Sequence, residues 1–168
     1  MTVINKIQST MNAVLSVVII FLFSTMVVVG SYQIITRYFF NAPSTISEEL
    51  LTFTFAWMSL FATAYVFGKR DHMRMGFLAD KLTGKSRAVL ELAIECLVLA
   101  FVVIVMVYGG FSIVNLTMPQ ATASLGIPMG YVYMAVPVSG VFIVVYNIIN
   151  IAHLLAYGYE DSEEGVTK

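Results

Sequence analysis

Long intervals without charged side chains most constrain the fold of this 168-residue chain. Asp, Glu, Lys and Arg are absent from positions 7–36, 50–68 and 96–159. Because an ionised side chain inside a bilayer is costly, such intervals are typical of membrane-spanning helices. A hydrocarbon core about 30 Å thick is crossed by about 20 apolar residues in an α-helix, so the first two intervals each fit one span. The third would form a helix of about 96 Å, which indicates two passes.

Proline and glycine mark the turn within the third interval, at Pro119, Gly126 and Pro128. The sequence therefore predicts an all-α integral membrane protein with one four-helix transmembrane domain over residues 1–168. The first apolar run exceeds a signal-peptide core of about 7–15 residues, and no Ala-x-Ala-like site follows it, so we interpret it as an uncleaved anchor. The four helices are expected at about residues 11–35, 50–67, 88–111 and 131–157.

Basic residues concentrate between the second and third predicted helices. Positively charged loops stay in the cytoplasm, so this asymmetry predicts that both termini lie inside. Arg37 is then the one basic residue on the outer side. Apolar and basic residues alternate in the loop, which indicates a short interfacial helix whose cations face anionic lipid headgroups. The residues assigned to this basic loop are Lys69, Arg70, His72, Arg74, Lys81, Lys85 and Arg87.

Three charged residues flank the predicted outer turn between the first two helices. Thr45 and Glu48 have the spacing of a capping box at the start of helix two. Glu48 and Glu49 also meet the positive end of that helix dipole. We expect Arg37 to pair with Glu48 or Glu49 and so to clamp two helices together, with contact to a partner protein as the second interpretation and a substrate role as the third.

Polar residues also occur within the third and fourth predicted helices. Glu91 lies four residues after Arg87, so a pair on one helix face accounts for it. Glu95 lies one turn deeper, and both a structural or subunit contact and proton coupling are open interpretations. Three polar residues spaced by three in the fourth helix are expected to bond to another helix. These are Asn147, Asn150 and His153.

The sequence contains no phosphate-binding glycine loop, nucleophile constellation or catalytic carboxylate pair. His72 and His153 have no further ligand set for a metal or haem. We therefore expect a non-enzymatic scaffold or accessory subunit without a cofactor. An autonomous four-helix exporter that couples protons through Glu95 is the alternative, and an intramembrane redox or lipid enzyme is a third class. Flux through the isolated chain would distinguish the exporter from the scaffold.

Several segments around these helices resemble the small membrane subunit, of the Q or DctQ type, of tripartite ATP-independent periplasmic (TRAP) transporters. The resemblance covers nearly the whole chain. Ile46 stands where the family often has tryptophan, and Met129 and Gly130 replace an expected aromatic residue. The matching segments are Arg37-Tyr38-Phe39-Phe40-Asn41, Ser47-Glu48-Glu49-Leu50, Trp57, His72-Met73-Arg74-Met75, Leu125-Gly126-Ile127-Pro128 and Val136-Pro137.

The resemblance implies a multi-pass protein of the bacterial inner membrane that pairs with a large transport subunit. That large subunit is expected to carry the sodium and substrate sites, and a periplasmic binding protein is expected to deliver an organic acid such as sialic acid or a C4-dicarboxylate. The small subunit would extend the static scaffold. Arg37, Glu48 and Glu49 are then expected to support assembly, and residues 38–47 and 116–130 to support docking of the binding protein.

Overall fold

The computed structural model describes residues 2–69 and 85–157, which form helices joined by short connections. Four of these helical stretches are long and apolar enough to cross a membrane. The prediction of a four-span, all-α membrane protein is therefore confirmed. The helices are α1 (Thr2–Phe39), α2 (Thr45–Gly68), α3 (Lys85–Phe101), a π-helical segment (Val102–Gly109), α4 (Gly110–Thr117), α5 (Met129–Tyr133) and α6 (Ala135–Tyr157).

The four spans are Lys6–Phe39, Thr45–Gly68, Leu92–Thr117 and Met129–Ala152. The helices that form the first three spans extend beyond both limits expected from the sequence, because helix-compatible residues continue past the charged boundaries. The helical stretch that forms the fourth span begins two residues before its expected limit. The third span combines α3, the π segment and α4, and the fourth combines α5 and α6. At 1.5 Å per residue, α1 is about 57 Å long, which exceeds the hydrocarbon thickness of about 30 Å.

The start of α2 corrects the expected capping box. Ser44, rather than Thr45, is the N-cap residue, and its hydroxyl oxygen accepts the backbone N–H of Ser47 at 3.3 Å. The Ser47 hydroxyl lies 3.0 Å from the Ser44 hydroxyl. Ser44 has the extended backbone of an N-cap and places Ser47 at the third helical position, where a free N–H needs an acceptor. The cap is therefore formed by Ser44 and Ser47 rather than by Thr45 and Glu48.

The π segment keeps one face of the third span turned towards the fourth. Inward-facing residues recur every four positions, at Val102, Met106, Gly110 and Val114. In an α-helix each such step turns about 40° past a full turn, so the series would drift around the helix. A π-helix has more residues per turn, so the same step falls short of a full turn there. The two opposite drifts offset each other and leave the series on one face.

Glycines let the third and fourth spans approach closely along this face, which we call the seam. A Cβ atom at Gly110 would lie 2.9 Å from Pro137 Cδ, and one at Gly140 would lie 2.9 Å from Met106 Cβ. Both distances are too short for two carbon atoms in van der Waals contact. Small residues of this kind are typical of tight helix pairs in membranes, where packing rather than hydrophobic burial drives association.

The buried core receives side chains from all four spans. Edge-on contact between the Phe61 ring and the rings of Trp57 and Phe142 links the second and fourth spans, with ring centroids 5.4 and 6.2 Å apart. Aromatic pairs favour this geometry. Many other large apolar side chains of the bundle are exposed, as expected of a surface that meets lipid or another membrane subunit. The core residues are Leu15, Phe61, Ala64, Val102, Ile143 and Tyr146.

A short hairpin-like connector, residues 118–128, joins the third and fourth spans. Its ends are paired by a single antiparallel bridge between Ala121 and Pro128. Backbone bonds run from Met129 N–H to Gln120 C=O at 2.7 Å and from Thr122 N–H to Ile127 C=O at 2.9 Å. Gly126 has φ of 67°, a left-handed conformation that glycine adopts without steric cost. The connector is thus an ordered element at the same end of the bundle as the α1–α2 turn.

Candidate helix clamps and subunit contacts

Glu49 fastens the connector to the second span. One carboxylate oxygen, Oε2, accepts the backbone N–H of Ser124 at 2.7 Å and that of Leu125 at 2.8 Å. Two successive N–H groups that converge on one oxygen form an anion-binding concavity of the kind called a nest. Such bonds to an ionised acceptor are roughly twice as strong as neutral ones. Glu49 therefore fastens α2 to the backbone of the connector, a contact that we call the Glu49 clamp.

The expected ion pair of Arg37 is not formed. Arg37 lies in the last turn of α1 with an exposed side chain, and no salt bridge joins it to Glu48 or Glu49 among the described residues. The physical reason is that the Glu49 carboxylate is turned towards Ser124 and Leu125. Glu48 is exposed in the first turn of α2. Contact of Arg37 and Glu48 with another subunit remains a prediction.

Glu95 and Asn147 form a buried polar contact across the seam. Asn147 Nδ2 donates to Glu95 Oε2 at 2.5 Å and to the Glu95 backbone carbonyl at 3.2 Å. The two residues are only 7% and 1% exposed. A polar side chain buried in a membrane protein needs such a partner, because neither lipid nor water is available to replace it. The contact is therefore a helix clamp near the end of the bundle that carries the termini.

Asn150 is also buried on the fourth span, one turn beyond Asn147. Asn147 Oδ1 has no hydrogen-bond partner within residues 2–69 and 85–157. This amide oxygen could accept a hydrogen bond if the neighbouring carboxyl group were replaced by an amide. Glu91 and His153 lie on the helices α3 and α6, but their side chains are outside the described residues.

Three of the seven residues of the predicted basic loop, Lys69, Lys85 and Arg87, fall on described backbone. Lys69 follows α2 directly, and its ammonium group lies 4.7 Å from the centre of the Tyr65 ring, a cation–π contact. Lys85 and Arg87 belong to α3, which corrects their assignment to the loop, because the helix begins three residues before the expected start at 88. Outside the described residues lie Arg70, His72, Arg74, Lys81 and the predicted interfacial helix.

A third polar contact, which the sequence did not lead us to predict, joins the first, second and fourth spans. The Tyr146 hydroxyl donates to Asn12 Oδ1 at 2.6 Å, and Gln8 Nε2 donates to the Gly68 carbonyl at 2.8 Å. Tyr146 is fully buried, and its ring occupies the space that a side chain at Gly68 would need. Gln8 and Asn12 are polar residues four positions apart in an apolar segment. This spacing places them on one helix face and could have indicated their contact with other helices.

Together these contacts link every span to another span. No group of three His, Cys, Asp or Glu side chains that could hold a metal ion occurs in the described part of the chain. The contacts of Glu49, Asn147 and Tyr146 thus run from helix to helix or from helix to connector. This arrangement can hold helices in a fixed register, and it leaves Arg37 and Glu48 exposed for contact with other molecules.

The sequence profile described as "Tripartite ATP-independent periplasmic transporters, DctQ component" matches residues 26–156. The chain is 28% identical over 152 residues to the sialic acid TRAP transporter small permease protein SiaQ of Vibrio cholerae, which covers 90% of this chain and 87% of that protein. Two putative TRAP transporter small permease proteins of Haemophilus influenzae are 27% and 22% identical, with 86% and 79% of this chain covered and 88% and 81% of theirs.

The profile match begins within the first span and continues through the second, third and fourth spans and both ordered connections of the described structure. The relatives are transporter subunits, and they align along most of their length with this chain. The chain therefore belongs to the DctQ component family of tripartite ATP-independent periplasmic transporters, whose members are multi-pass proteins of the bacterial inner membrane.

Proposed function

We propose that this chain is the small scaffold subunit of a sodium-coupled secondary TRAP transporter that imports an organic acid. In this role it supports a large membrane subunit that carries the sodium and substrate sites, and it helps a periplasmic binding protein to dock. The substrate class is sialic acid or a C4-dicarboxylate. The similarity to the sialic acid TRAP transporter small permease protein of Vibrio cholerae favours the first of these two classes.

The scaffold role is supported by hydrogen bonds that join buried polar side chains of different helices. Glu95 bonds to Asn147, and Tyr146 bonds to Asn12. Breaking either contact would leave polar groups unsatisfied in an apolar environment, at a cost of about 1–3 kcal/mol. A subunit built in this way favours one arrangement of its helices. That property suits the static part of a transporter against which a second subunit moves.

The exposed surface supports a role in assembly with a larger membrane subunit. Large apolar side chains cover α1 along most of its length, and Arg37 and Glu48 lie exposed near one end of this surface. We assign the Arg37 charge to contact with the large subunit. Charge reversal by Arg37→Glu is expected to lower both recovery of the complex and uptake, whereas Arg37→Lys retains both. Unchanged recovery and uptake in Arg37→Glu would refute the assembly role.

Reconstitution into proteoliposomes tests the proposed function. Vesicles receive this chain alone, the large subunit alone, or both, and the binding protein loaded with labelled sialic acid is added under a sodium gradient. Uptake is expected only with both membrane subunits and the gradient. A parallel series with a labelled C4-dicarboxylate distinguishes the two substrate classes. Substrate flux through vesicles that contain only this chain would overturn the scaffold role.

Glu95 distinguishes the scaffold from the alternative, a proton-coupled four-helix exporter. Glu95→Gln retains the size and hydrogen-bonding capacity of the side chain, and the new amide can donate to Asn147 Oδ1, which has no partner among the described residues. The scaffold role therefore predicts near-normal uptake by the complex with Glu95→Gln. An exporter that carries protons on Glu95 would lose transport, because an amide does not titrate.

A further inference from the structure

The connector lies in the aqueous phase rather than in the hydrocarbon layer. Its backbone is non-helical from Gln120 to Pro128, and residues such as Ala121, Ala123 and Gly126 are exposed. Unpaired backbone groups of this kind do not occur where they would face lipid tails. The connector also carries no Asp, Glu, Lys or Arg. A partner that meets it therefore approaches from water and contacts an uncharged surface.

The connector is held in place at its base and at its tip. Its base is closed by the Ala121–Pro128 bridge and the backbone bonds beside it. Its tip, residues 123–126, lies beyond the bridge and is fastened to α2 by the Glu49 carboxylate. Inside the hairpin, the buried hydroxyl of Thr122 accepts the N–H of Ile127 at 3.2 Å. Among the described residues, Glu49 of α2 is thus the one helical side chain that holds the tip by charge-assisted hydrogen bonds.

We propose that Glu49 is a positioning residue, which holds the connector tip in the shape that the periplasmic binding protein recognises. This inference rests on the proposed function. Glu49 acts through Ser124 and Leu125 and does not itself touch the binding protein. A pre-ordered tip spares the complex the conformational entropy of ordering a loop during docking. Loss of the clamp therefore weakens docking without changing the transport step that follows.

Glu48 supplies a matched control for Glu49. The two residues are adjacent in α2 and carry the same charge, but the Glu48 side chain is exposed and the connector bonds are made by Glu49. Glu49→Ala removes both bonds to the tip, whereas Glu49→Gln keeps a neutral acceptor that forms weaker bonds. Glu48→Ala removes a charge at the same end of the bundle and leaves the tip in place. The three variants thus separate the clamp from the local charge.

The experiment has two readouts in the intact three-component transporter. A nitroxide spin label at Ala123→Cys, in a Cys96→Ser background, reports the mobility of the tip. Uptake measured against the concentration of binding protein gives a half-saturating concentration and a maximal rate. Glu49→Ala is expected to raise label mobility and to raise the half-saturating concentration about tenfold, equivalent to about 1.4 kcal/mol, with the maximal rate unchanged. Glu49→Gln is expected to give a smaller rise, and Glu48→Ala none.

Three results would overturn the inference: unchanged label mobility in Glu49→Ala, a mobile tip with an unchanged half-saturating concentration, or an equal effect of Glu48→Ala. If Glu49→Ala prevents recovery of the complex, Glu49→Gln replaces it as the test variant. An unchanged half-saturating concentration in Glu49→Gln would then overturn the inference. Transporters that lack this chain are measured in parallel. Full uptake without the chain would refute the proposed function itself, whereas a requirement for the chain with no effect of Glu49 refutes only the positioning role.

Discussion

Gly68 gives the sharpest test of how the helices pack at the end of the bundle that carries the termini. A Cβ atom at this position would lie 2.6 Å from both Cε1 and Cζ of Tyr146 and 2.9 Å from Asn12 Oδ1. The Tyr146 ring is fully buried and its hydroxyl is bonded to Asn12, so the ring has little freedom to withdraw. Gly68→Ala must therefore displace α2 or break the Tyr146–Asn12 bond.

The expected cost of Gly68→Ala follows from these contacts. Overpacking by one methyl group in a filled core costs about 1–3 kcal/mol. Loss of the Tyr146–Asn12 hydrogen bond adds about 1 kcal/mol. The higher helix propensity of alanine offsets at most about 1 kcal/mol, and less at Gly68, which ends α2. We therefore expect a net loss of about 1–3 kcal/mol in the free energy of unfolding.

Gly30 provides the matched control, because a Cβ atom there would lie 3.9 Å from Leu51 Cδ2, an ordinary contact. Unfolding of the purified chain in detergent is followed by the fluorescence of Trp57, the single tryptophan, which packs on Phe61. Gly30→Ala is expected to leave stability unchanged or slightly higher. Equal stability of Gly68→Ala and Gly30→Ala would refute the close packing of Tyr146 against α2.

Two further perturbations test the seam between the third and fourth spans. Gly110→Ala places a methyl group against the ring of Pro137, so it is expected to lower stability by about 1–3 kcal/mol in the same unfolding assay. Gly109→Ala, whose new Cβ would lie 3.5 Å from its nearest neighbour, is the control, and equal losses would contradict the seam geometry. Asn147→Leu removes the hydrogen bond that the Asn147 amide donates to the buried Glu95 carboxyl group and is expected to cost about 1–3 kcal/mol. Stability equal to that of the unaltered chain would show that the buried contact contributes nothing.

The number of spans was predictable because the cost of charge in a bilayer is large and leaves long uncharged intervals in the sequence. The turn between the third and fourth spans followed from Pro119, Gly126 and Pro128. The limits of the helices were less predictable, because a helix continues wherever its residues tolerate it. Thus α1 ends at Phe39, two residues past Arg37, and α3 begins at Lys85 within the basic segment.

The partners of the polar residues were harder to predict than their importance. Glu49 was a candidate clamp, but its partners are backbone N–H groups 75 and 76 positions away, which no side-chain pattern reveals. Arg37 was the obvious cation for it by charge and position alone. Glu95 and Asn147 were each singled out, yet their pairing depends on the register of the seam. That register in turn depends on the π segment, which an uninterrupted apolar run does not mark.

The π segment also affects how sequences of this family are aligned. A π turn holds more residues than an α turn, so an α-helical third span can match the flanking helices with fewer residues. Relatives as distant as 22–28% identity are then expected to need a gap within residues 102–109 when that span is α-helical. Insertions and deletions are ordinarily assigned to surface loops. In this family a gap in the middle of a membrane helix can be the structurally correct alignment.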